Sequence, residues 1–241
     1  MKALGVLARL PVTARVKPRL AATITTASAT KFYRACAENT IVESARCEGV
    51  VRYLFFSDGS RQQAEEWMTS IRQEGLQLQP QTTWTDEGGQ LCDAFQTVFA
   101  TGAAMVVLIT SDVPDMESSI ISRAFAALET SDVVFGPTHD GGYYLIGLRS
   151  HQPSLFEGIP WGTDKVLQMS LDRAESLGLT VAPLASDPLL YDIDTLDSLV
   201  HWMKLPSSKT NPHYGLSLRI LDEHDSLVEA LSETGYTLVT P

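Results

Sequence analysis

The sequence predicts an α/β protein, a three-layer α/β/α sandwich built on a mostly parallel sheet. Three observations lead there. Short apolar runs alternate with stretches of helical periodicity along the chain. The run Met105 to Ile109 is apolar on both faces, as a central strand covered by helices on both sides requires. The links between runs are short and end in Gly, Pro, Asp and Thr.

In order, Ala3 to Ala8 is expected to be the first buried strand. RLPVTARVKPRL follows as a cationic loop carrying Arg9, Arg15, Lys17 and Arg19. A helix is expected over Ser28 to Arg46, a strand over Val50 to Asp58, and a helix over Arg61 to Gln73 with Trp67 and Ile71 inward. Leu76 to Leu78 alternates like a short strand. Gly88-Gly89 reads as a break before a helix from Leu91 to Ala100. The central strand stops at Thr110-Ser111-Asp112, where Pro114 forbids a smooth continuation. Ile120, Ile121, Ala124, Phe125 and Leu128 then recur at helical spacing. Strands are expected at Asp132 to Phe135, Tyr143 to Leu148 and Leu179 to Leu184. Thr163 is expected to cap a helix reaching Leu177, and Thr195 opens another with Asp197 in its first turn. Residues 1–205 are expected to form one domain, followed over 206–241 by a linker and a packed helix near Leu216 to Ser232.

Composition narrows the function classes. Net charge is −11, from 18 basic and 29 acidic residues. A nucleic-acid or anionic-membrane binder needs a basic patch, and the cationic loop is the one in view; it suits a small anionic ligand better than a polymer. No apolar run approaches the ~20 residues that span a bilayer, and MKALGVLARL is too short and too soon interrupted by Arg9 for a signal peptide. Cys36, Cys47 and Cys92 lack C-x-x-C spacing, which fits reduced thiols in the cytoplasm. Oligomeric state is not legible.

Open α/β sheets bind ligands at the carboxyl ends of their strands. Asp112, Asp140 and the pair Asp192/Asp194 fall in loops at strand ends, opposite the cationic loop. Carboxylates facing cations suit a polyphosphate bridged by a hard divalent ion, Mg²⁺ or Mn²⁺. Asp112 and Asp194 are assigned to the metal; Asp115 and Asp197 are assigned to helix starts. Lys17 and Arg19 either hold phosphate oxygens or belong to a solvated loop. Gly141-Gly142 either admits a ligand close to the backbone or forms a turn, and Trp161 either stacks on a ligand or lies in the core. The chain has no P-loop, dinucleotide fingerprint or nucleophile elbow, which argues against kinase, dehydrogenase and esterase chemistry.

PVTARVKPRL, LITSDVPD, GPTHDGGYYLIGL, FEGIPWGT and YDIDTLDSL together resemble the GT-A-like nucleotide-diphospho-sugar transferase superfamily. The closer likeness is to bacterial glycosyltransferase-like members related to molybdopterin and phospholactate guanylyltransferases. The resemblance implies a nucleotide or nucleotide-sugar ligand, with Arg9, Arg15, Lys17, Arg19 and Asp86 on the nucleotide or its phosphates. It implies a metal site of Asp112, Asp192 and Asp194, with Asp112 and Asp140 catalytic and Gly141, Gly142 and Trp161 on the acceptor side. Asp86 to Leu91 stands where the family has an acidic-Gly-x-Arg-Met run, with Gln90 in the arginine's place. Three functions follow: glycosyl transfer from a nucleotide sugar, nucleotidyl transfer with release of pyrophosphate, or nucleotide binding without catalysis.

Overall fold

The structure, a computed structural model, describes residues 1–11, 16–82, 86–183 and 188–212. Its centre is a six-stranded sheet of order β3-β2-β1-β4-β6-β5. The strands are β1 (Lys2–Arg9), β2 (Val50–Ser57), β3 (Leu76–Pro80), β4 (Met105–Thr110), β5 (Val133–Pro137) and β6 (Tyr143–Leu148). β1 pairs in parallel with β2 and β4, and β2 with β3. β6 runs antiparallel to both neighbours, so it alone reverses the sheet. The carboxyl ends of β1 and β4 and the amino end of β6 therefore share one edge.

The helices are α1 (Pro18–Ala21), α2 (Thr26–Ala45), α3 (Arg61–Ser70), α4 (Glu87–Phe99), α5 (Ser118–Ala127), α6 (Val166–Ser176) and α7 (Leu196–Lys204). On one face of the sheet, Leu4, Val6, Leu54, Val107 and Ile109 pack with Tyr33, Ala37 and Ile41 of α2, Trp67 of α3 and Phe125 of α5. On the other face Tyr53, Phe55, Val106, Leu108 and Ile146 pack with Phe95 of α4 and Ala174 of α6. Alternate residues of each central strand thus feed opposite cores, which is why Met105 to Ile109 is apolar throughout.

A third cluster joins Leu20 and Ile24 to Phe32, Ile193, Leu199 and a fully buried Trp202. It seats α7 against α1 and α2. Among the described residues, no helix is long and apolar enough to cross a membrane.

Several elements differ from the expectation. α4 begins at Glu87, four residues earlier than periodicity indicated, because the Asp86 carboxylate accepts the Gly89 N–H (2.8 Å) as an N-cap. The expected strand at Leu179 to Leu184 is reduced to one parallel bridge, Val181 to Val133; Pro183 has no N–H with which to extend a ladder. Lys165, not Thr163, is the N-cap residue of α6; the Thr163 hydroxyl instead accepts the Lys165 N–H (3.3 Å) within the preceding turn. The 206–212 stretch is not a free linker: it forms a short 3₁₀ turn, and Asn211 donates to the Pro114 carbonyl and to Asp115. The helix expected near Leu216 to Ser232 lies outside the described residues.

Asp115 is also not a helix cap. The N-cap residue of α5 is Glu117, and the Asp115 carboxylate instead accepts the Trp202 indole N–H (2.7 Å) and the Asn211 amide (2.6 Å). Burial raises its pKa above the usual aspartate value, opposed by these two hydrogen bonds. Asp115→Ala removes the carboxylate that accepts from both Asn211 and the indole of a buried Trp202 at the junction of α7 with the sheet. It should cost about 1–3 kcal/mol, the penalty for unsatisfied buried groups, read from the urea midpoint.

Candidate functional site

At the shared edge, the carboxyl ends of β1 and β4 border a cleft of about 650 Å³. One buried hydroxyl fixes its floor: Tyr33 of α2 accepts the Arg9 N–H (2.8 Å), donates to the Arg9 carbonyl (3.1 Å) and meets the Ser111 hydroxyl at 2.9 Å. Burial pushes the Tyr33 hydroxyl up to about 12, so it stays protonated as a strut between the strand ends. Asp112 follows Ser111 directly.

The late acidic pair reaches Asp112 by two local devices. The Ile193 N–H donates to the Asp112 carbonyl (3.3 Å), laying the 192–194 segment beside the end of β4. Thr195 then opens α7 with a capping box, and the Ser198 hydroxyl accepts the Asp194 N–H (3.1 Å). Asp192 and Asp194 flank a buried Ile193, so period-two alternation sends both carboxylates to the same side. One oxygen from each of Asp112, Asp192 and Asp194 lies within 4.8 Å of the others.

Lys17 fills the centre of this triad. Its ammonium donates to Asp112 (2.8 Å), to Asp192 (2.9 Å) and to Asp194. The side chain is 7% exposed, although it sits in the cationic loop. Burial alone would lower its pKa, but the three carboxylates hold it well above the ordinary lysine value. Arg19 closes the outer side, its guanidinium 2.6 Å from the second oxygen of Asp194. Asp194 is half-buried, which works to raise its pKa, yet Lys17 and Arg19 hold its carboxyl below the usual range. Asp192 goes the other way: burial and the neighbouring Asp112 raise it strongly, with only partial relief from Lys17.

The second oxygen of Asp112 is buried and has no hydrogen-bond partner among the described residues. Three hard carboxylate oxygens within chelating distance, one residue with an orphaned oxygen, fit Mg²⁺ or Mn²⁺.

The remaining expected residues divide. Arg9 and Asp140 line the cleft; Asp140 accepts the Thr138 hydroxyl (2.6 Å) and the Gly142 N–H (3.1 Å) in a tight turn. Gly142 and Trp161 line it too. Gly141 faces elsewhere: at φ +88°, a Cβ there would stand 2.1 Å from the Asp164 carbonyl, so its missing side chain serves backbone packing. Asp86 is occupied as the α4 cap, and its neighbours Glu87 and Gln90 line the cleft instead. Arg15 lies outside the described residues. His139 stacks on Tyr191 at 3.8 Å between ring centroids.

Sequence reasoning missed Glu87. Burial, then the charges of Asp112 and Asp194, raise its pKa. Reading Asp86 as an N-cap would have exposed it, since the first turn of α4 points into the cleft. Gly88 in the same turn is a seat for Trp161: a Cβ there would lie 2.5 Å from the indole nitrogen. Gly88→Ala gains about 1 kcal/mol of helix propensity, but displacing a packed indole costs about 1–3 kcal/mol. Net destabilisation with shifted Trp fluorescence is expected.

The mostly parallel six-stranded sheet flanked by helices matches nucleotide-diphospho-sugar transferase-like folds. The chain belongs to the DUF2064 family, described as "uncharacterized protein conserved in bacteria", whose profile matches residues 40–163. Among solved structures, a "putative nucleotide-diphospho-sugar transferase" from Desulfovibrio desulfuricans G20 superposes with a TM-score of 0.79 at 28% identity, over 95% of this chain and 97% of that one. A 4-diphosphocytidyl-2C-methyl-D-erythritol synthase from Anaerococcus prevotii DSM 20548 gives 0.53 at 10% identity, over 83% and 93% of the two chains. A CMP:2-keto-3-deoxy-manno-octonic acid synthetase complexed with CTP gives 0.50 at 12% identity, over 86% and 99%. These last two share the fold alone. No curated protein matches the sequence.

Proposed function

We propose that the protein is a transferase acting on a nucleotide diphosphate species, with a nucleotide sugar as donor. The observation that carries this reading is the convergence of Asp112, Asp192 and Asp194 at the sheet edge, below a cleft also lined by Arg9, Arg19 and Trp161. The three carboxylates would hold Mg²⁺ or Mn²⁺, which when bound neutralises negative charge on a departing diphosphate. Arg9 and Arg19 supply fixed positive charge for phosphate oxygens, Arg being suited to bidentate contact. Trp161, edge-on to Tyr143 at 6.4 Å, offers an aromatic surface on the side of the cleft that would face the acceptor.

Outside the triad, the acidic residues lining the cleft include Glu87 and Asp140, with Asp164 as a third. Glu87, whose pKa burial raises, lines the cleft as a candidate to take a proton from an acceptor hydroxyl. Asp140, held by Thr138 and Gly142, is suited to orient that hydroxyl. The likeness to the D. desulfuricans protein supports the donor class.

The test incubates the protein with a panel of nucleotide sugars, and separately with nucleoside triphosphates and phosphorylated sugars, each with Mg²⁺ or Mn²⁺. Release of a nucleoside diphosphate from a nucleotide sugar supports the proposal. Pyrophosphate release from a triphosphate would reassign the site to nucleotidyl transfer, and binding without turnover would leave a nucleotide-binding member of the family.

A further inference from the structure

The position of Lys17 bears on how the site accepts a metal. Its three ammonium hydrogens are divided among three carboxylates, and their oxygens ring the point where Nζ lies. A divalent ion bound by those same oxygens would occupy that point. The two cations cannot share it. The backbone presenting the ammonium is left-handed (φ 49°, ψ 57°), an unfavourable conformation for lysine, and Pro18 at the start of α1 fixes the next residue. Such a residue is held by its surroundings, here by the carboxylates themselves.

Charge decides what happens when a metal enters. The ionised triad carries three negative charges, two of them offset by Lys17 and Arg19. A divalent ion arriving alone would expel the ammonium and leave it without a counter-ion in a partly buried place, which is costly. A diphosphate arriving with the ion removes that cost, because Lys17 also lines the cleft.

We propose that Lys17 is an exchangeable counter-ion: its ammonium bridges Asp112, Asp192 and Asp194 in the absence of metal and yields to a divalent cation only when a diphosphate is present to receive it. The inference rests on the proposed function. It makes metal and diphosphate binding mutually dependent, each raising the affinity for the other by the same factor.

The test titrates the full chain with Mn²⁺ alone, reading free Mn²⁺ from its electron paramagnetic resonance signal, for wild type, Lys17→Met and Lys17→Gln. Both variants should bind Mn²⁺ at least tenfold more tightly than wild type. At fixed free Mn²⁺, inorganic pyrophosphate should tighten Mn²⁺ binding at least tenfold in wild type and much less in the variants. If the variants are unfolded without metal, Mn²⁺ should restore their circular dichroism; failure to restore it overturns the proposal. Wild type binding Mn²⁺ alone as tightly as both variants would overturn the exchange while leaving the proposed function standing. Absence of Mn²⁺ binding in every protein, with and without pyrophosphate, would overturn both.

Discussion

Lys17→Met should destabilise the metal-free protein by about 3–5 kcal/mol, the cost of leaving buried charges without their partner. Urea unfolding in EDTA at pH 8 reads it directly. The methionine stem replaces most of the packing, so the loss isolates the charge. Arg19 cannot substitute, because it reaches only Asp194 and is largely exposed.

The pH dependence has a definite sign. The Lys17 pKa is raised, so its stabilisation is complete below the ordinary lysine value and fades only as pH rises through the folded one. Asp192 is raised as well, by burial, by Asp112, and against the relief that Lys17 provides. Ionising it costs the folded state stability, and the cost is relieved as pH falls through its raised pKa. Without Lys17 that cost grows. The gap between wild type and Lys17→Met should therefore be widest near pH 8 and narrow toward pH 4; a gap constant over that range would contradict a charge origin.

Asp112→Asn should behave oppositely. Losing one of three mutually repelling carboxylate charges should change metal-free stability by less than about 1 kcal/mol, since an amide oxygen can still accept from the ammonium. In the presence of Mn²⁺ and a nucleotide diphosphate, the same variant should lose the ligand-induced rise in melting temperature, which depends on ligand concentration over Kd. Asp194→Asn should do the same. A rise that survives in both variants would remove the triad from the binding site.

Much of this site was legible in the sequence. Asp112 could be placed because the apolar run before it ends abruptly at Thr110, and Asp192 and Asp194 because Thr195 marks the start of α7. Two close carboxylates require a proton or a cation between them, and periodicity located the carboxylates.

What periodicity cannot give is the partner. Lys17 is 95 residues from Asp112 and 175 from Asp192, and as one of four cations in a loop it reads as a phosphate ligand. Its burial within the triad is a product of tertiary packing. Asp115 misled for a related reason: an acidic residue before a helix has the signature of a cap, whereas its partners Trp202 and Asn211 lie 87 and 96 residues away. Gly88-Gly89 misled in the opposite sense, since a helix tolerates a glycine in its first turn when an indole needs the space.

We propose that a nucleotide diphosphate binds at the carboxyl edge of the sheet through a divalent ion on Asp112, Asp192 and Asp194. Isothermal titration of wild type with a panel of nucleotide sugars, in Mn²⁺ and again in EDTA, tests it most directly. At least one nucleotide sugar should bind in Mn²⁺ and lose at least about tenfold in affinity, roughly 1.4 kcal/mol, in EDTA. Equal affinity in both conditions, or no binding of any of them in either, would contradict it.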